Sequence, residues 1–443
     1  MSFSAVILAG GMGKRTKFPL AKVMLPLAGQ PLISHIVSAS QATRPNQTII
    51  VSRPDLVNNL NKNFPNAQIA IQKKALGTAN ALASAKHLIT SDYVLVLLGD
   101  CPLVTTELID KVTAPMQGNI RVVAFDTDHP TGYGRILKAG EFVSEIIEEK
   151  DATEEQKAIR CVNSGIFYIR STFLFDMLDK ITNKNSQEEY YLTDLVKFSD
   201  QSELVIASQE ELLGVNTLED LAAAERLIQS RMIKELLNQG VLITDPQRLT
   251  LQGKVNIAPG VIIEPNVIIK NSEIGSGSHI GANSSIIDSE IANDVVILDG
   301  CVINQSCIQS GCQIGPMAHL REKVNLDKNV NIGNFVEIKA SKLGGNTKAK
   351  HLSYIGNGEI GESVNIGAGT IFCNYDGKQK YQTIIHDGAF IGSNSALIAP
   401  VSIGADSLVA AGSTITDSVA HQQTAFARAR QVNKANKNAD IES

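Results

Sequence analysis

From about Ile262 to Ile415 apolar residues recur at every sixth position, with polar residues between them. One run is Ile308, Ile314, Leu320, Leu326, Ile332 and Ile338. A second is Ile385, Ile391, Leu397, Ile403, Val409 and Ile415. The register slips by one residue near Leu343 and again at Ile360, and a loop over 373–381 pushes the next beat out of step. A six-residue period is neither helical nor simple strand alternation. It predicts a solenoid in which each hexad supplies one short strand of a parallel β-helix, with the apolar residue inward and Gly or Ala allowing the tight corner. The breaks are expected where polar chemistry collects.

The first half has a different texture. Short apolar runs at 6–8, 49–51, 69–71, 93–98 and 122–124 read as buried strands, and 31–40 and 79–88 read as helices. Strands alternating with helices predict a mostly parallel sheet covered on both faces. Ligands of such sheets sit beyond the strand carboxyl ends, which points to Gly10 onward and to Gly99-Asp100. Leu218 to Gln239 keeps helical periodicity and ends before Gly240, as a connecting helix would. The expected division is 1–218, a helical linker 219–239, and 240–443 with a disordered tail after about 433.

The chain has 443 residues, 43% hydrophobic and 19% charged, ample for more than one core. A net charge of −5 argues against nucleic acid or an anionic membrane surface as partner. No apolar run is long enough to span a bilayer. The cysteines at 101, 161, 301, 307, 312 and 373 form no CxxC pair, so zinc or disulfide spacing is missing and reduced thiols in a cytoplasmic protein are expected.

The run LAGGMGKR at 8–15 follows the first strand. It lacks the third glycine of a dinucleotide fingerprint and the early glycine of a Walker loop. Two readings remain, a plain strand-to-helix turn or a loop whose amides cradle a phosphate or base. His351 has the same ambiguity. It is either a surface histidine or the centre of a site with Arg321, Lys339, Tyr354, Asn365, Asn374, Tyr375 and Lys380.

Residues 8–15 followed by PLAKVMLP at 19–26 resemble the signature of sugar-1-phosphate nucleotidyltransferases. LGDCP at 98–102 fits their metal-binding turn, and further matches run in the right order: Gln72 with LGT at 76–78, TGYGR at 131–135, EEKDAT at 148–153, NSG at 163–165, EYYLTD at 189–194 and GVN at 214–216. With the hexads, nearly the whole chain resembles the bifunctional N-acetylglucosamine-1-phosphate uridyltransferase/glucosamine-1-phosphate acetyltransferase family. That resemblance implies a Rossmann-like nucleotidyltransferase domain and a left-handed β-helix of hexapeptide repeats. It places Leu8, Ala9, Gly10 and Gly11 at the nucleotide, with Gln72, Gly77 and Thr78 reading the base. Lys22 would offset phosphate charge, Asp100 and Asn216 would hold Mg²⁺, and Gly134, Glu148 and Asn163 would bind the N-acetylated sugar.

In the second half, His351 would be the general base. An imidazole's ordinary pKa of about 6.5 suits that duty, and Glu337 would orient it. Arg321, Lys339, Tyr354, Asn365 and Lys380 would bind the acceptor sugar phosphate. Ala368, Asn374, Tyr375, Ser393, Ala411 and Arg428 would line the acetyl-CoA channel. Substrates would be glucosamine-1-phosphate, acetyl-CoA, UTP and N-acetylglucosamine-1-phosphate, and the assembly a homotrimer. Two positions depart from the family: Lys14 stands where Thr is usual, and Arg321-Glu322 where Arg-Pro is usual. A nucleotidyltransferase with purely structural hexads would not need His351, Arg321, Lys339 and Asn374. A silent scaffold would not need Lys22, Asp100 and Asn216.

Overall fold

The computed structural model describes residues 2–11, 13 and 16–435. Lys14 and most of the expected disordered tail lie outside the described residues. The chain divides into two compact units, 1–228 and 229–443, and the helix Leu218–Asn238 contributes residues to both.

The first unit is built on a nine-stranded sheet among the described residues. Its central path runs Ser202–Ile206, Ile120–Asp126, Cys161–Arg170, Tyr93–Leu98, Phe3–Leu8, Gln47–Ser52, Gln68–Ile71. Phe3–Leu8 pairs in parallel with both neighbours. The near-continuous apolar runs follow from burial on both faces: Val6, Ile7, Ile49, Ile50, Leu95 and Val96 are fully inaccessible. Cys161–Arg170 is antiparallel to both its neighbours and carries a hairpin, Arg135–Ala139 with Phe142–Ile147. The strand order reverses at Phe3–Leu8. A crevice therefore opens where Phe3–Leu8 and Tyr93–Leu98 end side by side, Leu8 facing Leu98 in register.

The second unit is a left-handed parallel β-helix with three flat faces of 11, 10 and 9 strands among the described residues. It begins earlier than the hexads indicate: Leu242–Ile243 already pairs with Ile262–Ile263. One inward residue per strand, such as Ile263, Ile269, Ile303, Ile314 and Ile338, is wholly buried and stacks on its equivalents above and below.

The register slips are not confined to Leu343 and Ile360. The steps Ile269 to Ile274, Ile286 to Ile291 and Ile303 to Ile308 are equally short, and all lie between the second and third faces. Each short corner turns on a left-handed residue: Asn271, Asp288, Gln305, Ala340 and Asn357, with φ between 45° and 52°. Asn and Asp adopt that conformation at low cost, so the corner does not require the expected Gly or Ala. A serine follows at several corners, and its hydroxyl accepts the amide one coil on (Ser289 N to Ser272 Oγ, 3.0 Å; Ser306 N to Ser289 Oγ, 3.1 Å). These slips are architecture. The 373–381 loop is different in kind, lengthening its coil from 17 to 25 residues between register partners Lys348, Asn365 and Phe390.

Candidate functional sites

In the first unit, two cavities of about 530 and 210 Å³ meet at a wall formed by Leu8, Thr78, Leu98 and Asp100. The larger is lined by Gly10, Gly11, Gln72 and Gly77, the smaller by Gly134, Glu148, Asn163 and Asn216. Each expected residue of this half except Ala9 and Lys22 thus lines one or both. Ala9 is buried at the strand end, its amide on Val51 O at 2.8 Å.

Local geometry explains the glycines. A Cβ on Gly10 would collide with the Gln72 amide oxygen, and one on Gly77 (φ 107°) with the Tyr190 backbone. Gln72 is held by Asn80 Oδ1 at 3.0 Å, and Thr78 Oγ1 accepts the Leu192 amide at 3.0 Å. Asn163 N donates to Gly134 O at 2.8 Å, tying two sugar-side positions together. Glu148 accepts a hydrogen bond from Thr193 Oγ1 at 3.1 Å. Burial nonetheless pushes its carboxyl above the ordinary range, and Asp151, Asp194 and Glu189 add to that.

Where the cavities meet, Lys22 Nζ is paired with Asp100 Oδ2 and donates to Asn216 Oδ1 at 3.2 Å. Two hard oxygens from segments far apart in sequence thus converge on one cationic point. That donor set fits a small divalent cation completed by water and phosphate oxygens. Among the described residues no cluster of three or more His, Cys, Asp or Glu side chains could hold a metal by itself.

In the β-helix the expected residues fall into columns. His351 and Asn334 are Cα partners in adjacent coils at the corner between the first and second faces. His351 Nδ1 lies 2.9 Å from Asn334 Oδ1. With the amide oxygen as acceptor, the ring proton sits on Nδ1 and Nε2 keeps its lone pair. Within the chain the imidazole is therefore held by Asn334, not by Glu337, whose Oε1 accepts from Arg321 Nε and Nη2 at 2.9 and 2.6 Å.

The same corner continues downward. Ala368, Ser393 and Ala411 follow the inward residues Ile366, Ile391 and Val409, which are register partners. Arg428 reaches back to Ala411 O at 2.6 Å. Asn374 is buried and donates to Asn357 Oδ1 at 2.7 Å, and Tyr375 bridges Lys380 across the inserted loop.

The His351 corner leads into the second-face strand Tyr354–Gly356, and the cations stand on that face. Arg321 and Lys339 are register partners. The close approach of Lys339, and its charge, press the Lys380 ammonium below its ordinary range. Asn365 stands apart on the first face, paired with Lys348 and Phe390.

Sequence reasoning missed Asn334, Thr193 and Asn80. Asn334 had a signal, since it precedes His351 by one 17-residue coil. The other two stand on helices, Asn80 in Thr78–Ala85 beside Gln72 and Thr193 in Leu192–Phe198 beside Glu148, and only the tertiary packing brings them to those partners.

The fold and its two clusters define a two-part transferase, an α/β nucleotidyltransferase unit joined to a hexapeptide-repeat coil. A MobA-like NTP transferase domain model matches residues 5–163, and the bacterial transferase hexapeptide model (six repeats) matches 382–417. Proteins similar over almost their whole length are the bifunctional protein GlmU of Alcanivorax borkumensis (46% identical, 98% of each chain) and that of Acinetobacter baumannii (41%, 98% of each). The bifunctional protein GlmU of Thermosipho melanesiensis is 40% identical, covering 97% of this chain and 96% of its own. The chain belongs to the bifunctional GlmU family.

Proposed function

We propose that the chain makes UDP-N-acetylglucosamine in two steps, acetylating glucosamine-1-phosphate in the β-helix and uridylylating the product in the α/β unit. The observation that carries this reading is that a chain related over its whole length to bifunctional GlmU proteins has a distinct polar cluster in each half. We assign uridylyl transfer to 1–218 and acetyl transfer to 240–443, joined by the helical stretch 219–239.

In acetyl transfer, His351 Nε2 takes the proton from the acceptor amine as its nitrogen attacks the thioester carbonyl; the C–S bond breaks and the thiolate leaves. Arg321 and Lys339 hold the acceptor phosphate, with Tyr354, Asn365 and Lys380 around the sugar. Ala368, Ser393, Ala411 and Arg428 form the long side of the acetyl-CoA channel, and Asn374 and Tyr375 its end.

In uridylyl transfer, a phosphate oxygen of N-acetylglucosamine-1-phosphate attacks the α-phosphorus of UTP and pyrophosphate leaves. Nucleotidyltransferases of this class depend on a divalent cation, here Mg²⁺, which Asp100 and Asn216 would hold and which would neutralise phosphate charge. Lys22 supplies a second cation beside them. Gly10, Gly11, Gln72, Gly77 and Thr78 seat the nucleotide, and Gly134, Glu148 and Asn163 the sugar. Positioning and charge compensation suffice, so no side-chain nucleophile is needed.

We assign the assembly as a homotrimer. Support comes from exposed Phe335, Leu352, Ile371, Phe390 and Leu408 on the coil, apolar groups that a second copy would cover. No helix of the described residues is long and apolar enough to cross a membrane, and we place the protein in the cytoplasm.

The test separates the halves. With acetyl-CoA, glucosamine-1-phosphate and UTP supplied, thiol release and pyrophosphate release are followed independently. His351→Ala should lower thiol release by about 10²- to 10⁴-fold, while uridylyl transfer to supplied N-acetylglucosamine-1-phosphate persists. Asp100→Ala should do the reverse. Equal loss of both activities in either variant would refute the two-site assignment.

A further inference from the structure

The corner after Leu320 departs from the other second-to-third-face corners. Most of those turn on one left-handed residue, but here Glu322 and Lys323 are both left-handed, with φ 59° and 67°. The extra residue brings Glu322 against the cations of the second face. Its Oε1 accepts from Arg321 Nη1 at 2.6 Å and its Oε2 pairs with Lys339 Nζ at 3.2 Å.

The two carboxylates at this cluster do different things. Glu337 takes the Nε and Nη2 edge of Arg321. Glu322 takes the remaining terminal nitrogen and bridges it to the lysine. One guanidinium nitrogen plus one ammonium is the donor pair that a phosphate oxyanion would use. The surroundings favour an anion: Lys380 stands close to Lys339, and two ammonium groups so placed repel each other unless negative charge lies nearby. Desolvation works against the Glu322 carboxylate, but the Lys339 hydrogen bond and the charges of Lys339 and Arg321 hold its pKa below the ordinary range, so it is an anion at neutral pH.

We infer that Glu322 is an internal counter-anion seated where the acceptor phosphate binds, and that it must be displaced for the acceptor to dock. It thereby sets acceptor affinity and keeps free inorganic phosphate out of the site. This rests on the acetyltransferase reading for the identity of the ligand; the anion seat itself rests on Arg321, Lys339 and Lys380. The displaced carboxylate is half exposed and has solvent to move into. Its removal should therefore act on KM for the acceptor and leave kcat largely alone.

The test compares the full-length protein with Glu322→Gln and Glu322→Ala, folding being checked by circular dichroism. Thiol release at saturating acetyl-CoA gives kcat and KM for glucosamine-1-phosphate, and titration calorimetry gives the affinity for inorganic phosphate. Both variants should lower KM and tighten phosphate binding by about three- to tenfold, with kcat within about twofold of the parent. Unchanged or weaker phosphate binding in both folded variants would overturn the proposal. If the parent protein releases no thiol, the acetyltransferase reading fails, and the calorimetric comparison still decides whether Glu322 competes for the seat.

Discussion

Asn334→Ala tests whether the coil orients His351, the proposed general base. Asn334 and His351 occupy equivalent positions of adjacent coils, and the 2.9 Å contact between Oδ1 and Nδ1 is the hydrogen bond the structure gives the ring. Truncation to Ala leaves the inward stack of Ile332 on Ala349 untouched, so the perturbation acts on orientation and tautomer rather than on the core. A neutral hydrogen bond is worth about 0.5–1.5 kcal/mol, which corresponds to roughly a 2- to 12-fold fall in kcat if the whole contribution is realised in the transition state. Removing the base itself should cost about 10²- to 10⁴-fold, so the two variants should be cleanly separated. Asn334→Asp keeps an acceptor oxygen and should recover much of the loss. Steady-state thiol release at saturating acetyl-CoA and acceptor reads kcat, and pyrophosphate release provides an internal control that should not change. A folded Asn334→Ala variant with parental kcat would refute the orienting role. A loss as deep as that of His351→Ala would show that Asn334 does more than aim the ring.

Glu148→Gln should raise the melting temperature at pH 7 and not at pH 4. Burial holds the native carboxyl above its unfolded pKa, so ionisation favours the unfolded chain as pH rises through that window, and the amide removes this penalty. Equal melting shifts at both pH values would refute the sign, and KM for N-acetylglucosamine-1-phosphate should rise because the sugar-side carboxylate is gone. Ile303→Ala should cost about 2–5 kcal/mol, since the side chain is fully buried between Ile286 and Leu320. Urea unfolding followed by circular dichroism measures it, and a loss below about 1 kcal/mol would mean that the coil collapses around the cavity.

Five strands of the first sheet were legible because each carries a short, nearly unbroken apolar run, which burial on two faces demands, whereas Arg135–Ala139, Phe142–Ile147 and Ser202–Ile206 mix polar residues in and were not identified. Cys161–Arg170 was not identified as a strand, because its first residues coincide with the Asn163-Ser164-Gly165 motif and it is antiparallel in an otherwise parallel frame. In the coil the six-residue beat was plain, but the five-residue steps at Ile274, Ile291 and Ile308 were absorbed into it. That made two ordinary corners look like functional breaks. Glu337 was expected, alongside the family resemblance, to orient the imidazole; the coil instead puts Asn334 beside His351, and an arginine one coil away claims the carboxylate. Family resemblance supplied roles that spacing alone could not, and the residues it missed, Thr193 and Asn80, reach Glu148 and Gln72 from helices that only tertiary packing places there.

The position of the chemistry in the coil has a physical reason. Adjacent parallel strands lie about 4.8 Å apart, so a residue repeated once per coil forms a column with hydrogen-bond spacing after modest side-chain reach. Inward positions cannot carry polar groups without desolvation cost, and the short second-to-third-face corners are largely sealed by the buried serine ladder. The corner between the first and second faces has buried hydroxyls of its own at Ser284, Ser353, Thr370, Ser395 and Ser413, but the position two residues after its inward residue stays at least partly exposed. Asn334, His351, Ala368, Ser393 and Ala411 occupy it in succession, polar where a proton must be held and small below. The proposed acetyl-CoA channel would run along that column from His351, as a long, thin thioester donor meeting a compact phosphorylated amine requires. The inserted 373–381 loop leaves the coil at the other edge of the second face, between Ile371–Cys373 and the third-face strand Thr383–Ile385, and does not disturb the inward stack, because Ile366 and Ile391 remain register partners across it. The slips are therefore plain architecture, whereas the insertion brings Asn374, Tyr375 and Lys380 to the proposed acetyltransfer site.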